Sequence, residues 1–315
     1  MKIIKPSVEI WEQNYTLDGI YDHIARCARV CYQTEAKANE RSIDFIKRTI
    51  LRHEPYCDAR NHLSVLEHAT VYLIIKTYTP EDDRRYLNVK NFYTNNPFSK
   101  TFVDEEGPYT ILYVSTNMRV IVENSRMNDL NFMTNKNPLF HFTRITVSFI
   151  TNIGVSRELN RHRVHSISEE STRYCNYSKG KFDNSITFCP PVWYNIPEGN
   201  YHINDLGDIV TDTGTLKDIT SNDSFYHYIK SLMSSEDEYM ILIDNGQTPQ
   251  QAREVLPLAT KTQVVHTAWL FDWEDFVNKR YYGISGAPHP NMKMLAGDLL
   301  SQFINHGYLT EYADN

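Results

Sequence analysis

The sequence lacks any apolar run long enough to span a bilayer, and its first residues form no apolar core of a signal peptide. We therefore expect a soluble cytoplasmic protein that does not insert into a membrane. Internal repeats and low-complexity tracts are also absent. Positive charge is not in excess: the formal net charge is −7 and the pI is about 5.9, which argues against a general nucleic-acid-binding protein.

Cysteine is scarce, and its five positions (Cys27, Cys31, Cys57, Cys175 and Cys189) include no Cys-x-x-Cys pair. Neither a disulfide framework nor a structural zinc site is indicated. Cys175 is the one candidate thiol nucleophile, because nearby cations would lower its pKa, although a small buried residue is the simpler interpretation. The spacing of His62, Glu67 and His68 matches no standard zinc pattern, so no metal is expected.

The chain has 315 residues and is 41% hydrophobic, which suffices for a large core, although length alone would allow two domains. Apolar periodicity predicts helices at 17–31, from 42, from 117, and at 153–162, 221–243, 249–257, 270–280 and 291–303. β-rich runs predict strands at 69–75, 109–115, 142–150 and 260–267. Pro-containing stretches near 78–108 and 190–224 are interpreted as variable loops.

Residues 157–181 carry eight basic or imidazole side chains within 25 positions of an acidic protein. Such a stretch is most often a solvated helix face with ion pairs, and Glu158 lies four residues before His162 as that interpretation requires. The series Arg161-His162-Arg163, however, costs like-charge repulsion unless an anion lies nearby. We therefore favour an anion-binding site, which would follow the strand and helix predicted at 142–162.

The order of residues in this stretch resembles the signature of the flavin-dependent thymidylate synthases (ThyX-type). Arg161-His162-Arg163 is followed after seven residues by Ser171, within the longer run Glu169-Glu-Ser-Thr-Arg-Tyr. His62-x-Ser-x-x-Glu-His resembles the N-terminal flavin-contacting motif of the family, and Ala-Arg253-x-x-Leu-Pro resembles its C-terminal motif. The resemblance covers residues 20–76, 143–190 and 235–303.

The resemblance implies a single α+β domain over residues 1–315, with a mixed or antiparallel central sheet flanked by helices. It implies reductive methylation of dUMP to dTMP, with methylenetetrahydrofolate as carbon donor, FAD as cofactor and NADPH as reductant. Members of the family are homotetramers with active sites between subunits. Basic residues on an acidic protein agree with such ligands, because the flavin, the nucleotide and folate are all anionic.

The resemblance also assigns roles to residues of this sequence. The residues implied to contact dUMP are Glu158, Arg161, Glu169, Ser171, Arg173, Arg253 and Arg280. Those implied to contact FAD are His62, Arg161, His162, Arg163, Glu169, Trp269, Asp275 and His289. Arg280 and Ser171 are the implied catalytic residues: Arg280 would stabilise negative charge that develops on the uracil ring, and Ser171 would donate a hydrogen bond to the nucleotide.

Several positions depart from the family pattern. Trp269 and Phe271 stand where the family usually has Asn and Arg, and Asp275 stands where Asn is common. The tail reads His289-Pro-Asn291-Met-Lys293 instead of His-x-Gln, after an apparent insertion at 281–287, and His165 replaces a small residue. We hypothesise that Trp269 replaces hydrogen bonding with stacking.

Three alternatives stay open at this point. A protein of the same fold could act on a different pyrimidine nucleotide or by altered chemistry, as the departures suggest. The basic run together with Tyr174 and Tyr177 could bind single-stranded nucleic acid, although the acidic pI opposes this. The chain could also be a non-catalytic nucleotide-binding subunit of a larger assembly.

Overall fold

A computed structural model describes residues 1–212, 214–215 and 223–310. The strands are β1 (Lys2–Ile3), β2 (Ser7–Trp11), β3 (Thr70–Thr77), β4 (Lys100–Glu106), β5 (Tyr109–Asn117), β6 (Arg144–Asn152), β7 (Ser166–Glu169), β8 (Thr187–Phe188), β9 (Gly199–Ile203), β10 (Ile209–Thr211), β11 (Gly214–Thr215) and β12 (Lys261–Trp269). The α-helices are α1 (Leu17–Val30), α2 (Ser42–Thr49), α3 (Arg84–Asn95), α4 (Met118–Glu123), α5 (Ile153–Leu159), α6 (Ser224–Asp244), α7 (Pro249–Ala252), α8 (Leu270–Val277) and α9 (Pro290–Asn305). Short 3₁₀ segments lie at Leu63–His68, Met127–Phe132, Gly180–Phe182, Val192–Tyr194 and Arg253–Val255, and Asn278–Tyr282 is π-helical.

The described strands form three sheets. Four strands in the order β2-β6-β12-β7 make an antiparallel sheet, and β3-β5-β4 make a second antiparallel sheet. In the third, β11-β10-β9-β1-β8, only β1 and β8 run parallel. Helices together with mainly antiparallel sheets confirm the α+β fold class that the sequence implied.

The four-stranded sheet is covered on both faces, so eight of the nine residues of β6 are buried. Strand β12 pairs with β6 along its whole length, from Lys261 opposite Asn152 to Trp269 opposite Arg144. Alternate side chains of β12 point to opposite faces. Val264 packs into the core that contains α8 and α9, whereas Val265 packs against α1.

The three-stranded sheet has its own core. Apolar side chains of β3 and β5 pack against α1, α2 and α3, and this cluster includes Ile20, Ile24, Ile46, Val71, Leu73, Tyr86, Leu112 and Val114. Helix α1 belongs to both cores, because Cys27 and Val30 pack with Trp11 and Val265 on the four-stranded sheet. This helix therefore connects the two sheets.

Most predicted elements are confirmed with ends shifted by a few residues, and two stretches need correction. The stretch 78–108, interpreted as a loop, contains α3 and β4; Asp83 caps α3 by accepting hydrogen bonds from the backbone amides of Arg85 and Tyr86. The stretch 190–224 contains β9, β10 and β11, although 213 and 216–222 lie outside the described residues. Within the described ranges, no helix is both long and apolar enough to cross a membrane.

Candidate functional site

Arg280 is in direct contact with two other implied site residues, His162 and Glu158. Its Nε donates to Nε2 of His162 at 2.9 Å, Nη1 donates to the Glu158 carboxylate at 3.2 Å, and Nη2 donates to the Glu158 carbonyl at 3.0 Å. The Arg280 side chain is 18% exposed and that of Glu158 is 29% exposed. A guanidinium held by three hydrogen bonds in this way is preorganised and still reaches the surface.

Local structure on both sides positions this cluster. Asn152 caps α5 by accepting a hydrogen bond from the backbone amide of Val155, and α5 ends just before the Arg-His-Arg segment. On the other side, α8 widens into the π-helical turn Asn278–Tyr282, which re-aims the side chain of Arg280. The turn ends at Gly283 with φ +72°, where a Cβ would lie 3.1 Å from the Gly286 carbonyl oxygen, so glycine is required.

The other guanidinium groups of this segment are exposed and unpaired. Arg157, Arg161 and Arg163 all reach solvent, and no carboxylate of the described part of the chain lies within ion-pair distance of any of them. A solvated helix face stabilised by ion pairs would show partners for these groups. The arrangement instead fits the binding of an anion such as a phosphate.

His162 is a neutral hydrogen-bond acceptor in this site. Burial, assisted by the positive charge of Arg280, lowers its pKa to about 4. Since Arg280 donates to Nε2, the proton of the neutral ring resides on Nδ1. His162 thus orients Arg280 without adding a second charge.

Glu169 lies at the end of a buried polar chain. Its Oε2 accepts a hydrogen bond from Nδ2 of Asn160 at 2.9 Å, and its Oε1 accepts one from Oγ1 of Thr262 at 3.2 Å. Oδ1 of Asn160 lies 3.3 Å from Nε2 of His266, whose Nδ1 lies 3.0 Å from Nδ1 of His165. The chain therefore connects a residue implied to contact both ligands with two buried imidazoles.

Ser171, Arg173 and Arg253 form a second group. The backbone amide of Ser171 donates to the Cys31 carbonyl at 3.0 Å, and Nη1 of Arg253 donates to Oγ1 of Thr172 at 3.5 Å. The Arg173 guanidinium lies over the exposed ring of Tyr174, 5.1 Å from its centroid. Arg253 thus lies beside Thr172, the residue that follows Ser171.

Two neighbouring residues have structural roles. Glu170 is buried and accepts hydrogen bonds from Tyr177 at 3.1 Å and from Lys261 at 2.6 Å. Cys175 is buried, and burial raises the pKa of its thiol to about 11. The thiol is therefore protonated at neutral pH, which supports the simpler interpretation over a nucleophile.

Four other residues implied to contact FAD have partners outside the Arg280 cluster, although the charge of Asp275 acts on His162. His62 is exposed, with Nε2 3.1 Å from the Arg52 guanidinium, and Asp275 pairs with Lys279 at 2.7 Å. His289 caps α9 and packs on Trp193, with ring centroids 5.3 Å apart. None of them, nor Trp269, hydrogen-bonds or ion-pairs with Glu158, His162 or Arg280 in the chain as described.

Trp269 has an unusual partner on the adjacent strand. The Arg144 guanidinium lies 5.3 Å from the indole, and its Nη1 donates to the Glu67 carbonyl at 3.0 Å. Arg144 is buried, and burial lowers its pKa to about 10. Within the described residues, no carboxylate lies within ion-pair distance of it. Phe271, which stands where the family pattern has Arg, stacks near Trp269. The guanidinium of Arg144 therefore lies close to the position at which that Arg is missing.

The departure at Asn291 has a structural explanation. Its side chain is fully buried; Oδ1 accepts from the backbone amide of Val192 at 3.1 Å, and Nδ2 donates to the Pro190 carbonyl at 3.4 Å. These bonds hold the 190–192 segment against α9. Lys293, in contrast, is exposed, and its ammonium group lies 5.9 Å from the ring of Tyr281.

Sequence reasoning missed Asn160, His266 and Arg144. The predicted strand at 260–267 contained a usable indication, because its alternation puts His266 on the same face as Thr262 and Val264. Nothing local indicates that Asn160 meets His266 or that Arg144 meets Trp269, since both contacts join residues more than a hundred positions apart.

The chain belongs to the thymidylate synthase complementing protein family, whose model matches residues 109–306. This range contains Glu158, His162, Glu169, Arg253 and Arg280, but not Cys31 or His62. No curated protein matches the chain.

Two solved structures are similar to the chain at low sequence identity. The UMP/dUMP methylase PolB from Streptomyces cacaoi, bound with 5-Br dUMP, is 15% identical with a TM-score of 0.40, over 97% of this chain and 93% of that one. Thymidylate Synthase X (ThyX) from Helicobacter pylori, with FAD and dUMP, is 13% identical with a TM-score of 0.36, over 97% of this chain and 100% of that one.

Proposed function

We propose that the protein is a flavin-dependent thymidylate synthase. It converts dUMP to dTMP, with methylenetetrahydrofolate as carbon donor and NADPH-reduced FAD as hydride source. The observation that carries the proposal is the contact of Arg280 with Glu158 and His162, next to Arg161 and Arg163, which have no carboxylate partner in the described part of the chain. Membership of the thymidylate synthase complementing protein family supports it.

The side chains fit the ligands of this reaction. FAD and dUMP carry phosphates, for which exposed guanidinium groups without carboxylate partners are suitable donors. FAD, when bound, supplies the hydride chemistry. Residues that would hold it are His62, Arg161, His162, Arg163, Glu169, Trp269, Asp275 and His289, whereas Glu158, Arg161, Glu169, Ser171, Arg173, Arg253 and Arg280 would hold dUMP.

Arg280 is suited to stabilise charge on the pyrimidine. Three of its five N–H donors are used in the bonds to His162 and Glu158, which leaves two for a ligand. As a carbon unit or hydride adds to uracil, negative charge develops on the ring, and a fixed guanidinium lowers the energy of that state. Ser171 would donate a hydrogen bond to the nucleotide and need not act as a nucleophile.

We also propose a homotetramer with its active sites between subunits. Within the described residues, His62 and His289 make no hydrogen bond to Arg280, Glu158 or His162. This supports shared sites, because a neighbouring subunit could supply the second group. Light scattering of the purified protein is expected to give four times the chain mass of 36.8 kDa. A monomer that turns over dUMP at a normal rate would contradict shared sites.

Action on a different pyrimidine nucleotide is the second candidate. The observation that favours it is the apolar pair Trp269 and Phe271, where the family pattern has hydrogen-bonding side chains. A pocket edge with fewer donors accepts other ring substituents more readily. A non-catalytic nucleotide-binding subunit is the third candidate, and it requires that turnover is absent.

The test combines a spectrum with product analysis. The purified protein is expected to show a flavin absorption band that shifts when dUMP is added. Incubation with methylenetetrahydrofolate, NADPH and either dUMP or UMP should give a methylated product with dUMP at the higher rate. Methylation of UMP alone would favour the second candidate. Nucleotide binding without product would favour the third, and a protein that takes up no flavin would refute the flavoenzyme.

Trp269→Asn tests the stacking hypothesis. The half-buried indole lies under the Arg144 guanidinium and offers an aromatic face that asparagine lacks. Aromatic stacking contributes about 0.5–1.5 kcal/mol, so we expect FAD affinity to fall roughly threefold to tenfold in a flavin titration. Trp269→Phe is the control and should keep affinity within about twofold. Unchanged affinity and turnover in Trp269→Asn would contradict the hypothesis.

A further inference from the structure

His165, His266, Asn160 and Glu169 form a buried series of hydrogen bonds. The chemistry of Glu169 determines the direction of this series, that is, which atom donates and which accepts in each bond. A carboxylate accepts hydrogen bonds and donates none, so Asn160 must present its amide nitrogen to Glu169. Oδ1 of Asn160 then faces His266, whose Nε2 must carry a proton in order to donate. Each step restricts the next one.

The same reasoning assigns the donor and acceptor nitrogens of the two imidazoles. Burial lowers the pKa of His266 well below its usual value and that of His165 to about 3, so both rings are neutral at pH 7. With its proton on Nε2, His266 accepts at Nδ1, and His165 must donate from its own Nδ1. Nε2 of His165, which is buried, then carries the lone pair of the neutral ring.

Aromatic packing holds both rings in place. The His165 ring centroid lies 4.5 Å from that of Trp273 and 5.2 Å from that of His266. His266 also packs edge-on against Phe149, at 6.0 Å. Neither imidazole reaches solvent, since His266 is 1% exposed and His165 is 6% exposed. Their polar atoms therefore act only within the protein.

We propose that His266 and His165 are positioning residues for Glu169, because they hold Asn160 in the orientation whose amide nitrogen donates to the Glu169 carboxylate. The inference rests on the proposed function, in which Glu169 contacts the nucleotide. With Thr262 on Oε1 and Asn160 on Oε2, both carboxylate oxygens are fixed. The remaining lone pairs accept from a nucleotide hydroxyl or ring N–H without first having to be ordered.

The experiment compares replacements of His266 in the flavin-loaded protein, with dUMP affinity measured by calorimetry. His266→Phe keeps a flat ring but cannot donate to Asn160, so dUMP binding should weaken by roughly tenfold. His266→Gln can both donate to Asn160 and accept from His165, so it should restore affinity to within about threefold. His23→Phe is the matched control: His23 is 4% exposed, and its Nε2 lies 3.0 Å from the Thr146 hydroxyl. It should change affinity by less than about twofold.

A double replacement separates positioning from a general loss of structure. In a Glu169→Gln background the chain no longer ends on a carboxylate, so His266→Phe should cost less than about twofold. If His266→Phe weakens binding equally in both backgrounds, or if His266→Gln is no better than His266→Phe, the role is structural and the proposal is wrong.

Histidine nitrogen NMR of the unliganded protein tests the direction independently of any nucleotide. We expect the proton on Nε2 of His266 and on Nδ1 of His165. The opposite tautomers would overturn the proposal even if dUMP binds. If the expected tautomers appear but no pyrimidine nucleotide binds, the proposed function is wrong. The hydrogen bonds would then run in the proposed direction but would have no role in nucleotide binding.

Discussion

Replacing Arg280 by leucine is expected to lower the turnover of dUMP by at least about a hundredfold, the loss typical when one preorganised donor to a developing anion is removed. The variant loses the two N–H donors that the bonds to His162 and Glu158 leave for a ligand. It also leaves Nε2 of His162 and the partly buried Glu158 carboxylate without their partner. The measurement is kcat and KM for dUMP with saturating cofactors.

Two further variants make this result interpretable. Lys279→Leu removes the adjacent cation, whose ion pair with Asp275 is exposed and contributes little, so turnover should stay within about twofold. Arg280→Lys keeps the charge but lacks the planar fork, so it should recover only part of the lost rate. Turnover in Arg280→Leu within threefold of the unsubstituted protein, with unchanged circular dichroism, would exclude Arg280 from catalysis.

The central parts of the fold could be predicted because local pattern and environment agree. Strands β3, β5, β6 and β12 and helix α1 are apolar at the expected spacing and are buried as that spacing requires. Strand β7 was missed, because its four residues, Ser166–Glu169, have few apolar side chains and become a strand only by pairing with β12. Tertiary pairing thus decides what propensity leaves open.

The residues proposed for the candidate site could be named from the sequence, but their arrangement could not. The Arg-His-Arg order indicated an anion site, and Arg161 and Arg163 are exposed and have no carboxylate partner among the described residues. The contact of Arg280 with His162 depends on a π-helical turn, which sequence periodicity does not reveal. The pairing of His165 with His266 depends on the register between β7 and β12.

Acidification is expected to unfold the protein well before its carboxylates are protonated. Burial lowers the pKa of His23 and His162 to about 4 and of His68 and His165 to about 3, and that of His266 falls well below its usual value. An unfolded histidine titrates near 6.5. Between these values the unfolded chain binds more protons than the folded one, so stability falls as the pH drops below 6.5.

The size of this effect follows from linkage. At pH 5 each such histidine destabilises the folded state by about 2 kcal/mol. Five of them together rival the whole free energy of unfolding of a typical domain, about 5–15 kcal/mol. Urea unfolding at pH 7.5, 6.5, 5.5 and 5.0 should therefore show a steep loss of stability. A free energy of unfolding that is constant across this range would show that the histidines accept protons without unfolding.

Single replacements show which histidines cause the dependence of the free energy of unfolding on pH. His23→Gln removes a buried ring that bonds to Thr146, so the slope of stability against pH should fall by nearly one proton between pH 6.5 and 5. His202→Gln, which replaces an exposed ring, is the control. His68→Gln should also lower the slope, but with a larger loss at pH 7.5, because both ring nitrogens bond to hydroxyls, at 2.8 Å to Thr267 and 3.0 Å to Ser168. Buried neutral imidazoles would then account for the acid sensitivity, because carboxylates titrate at lower pH.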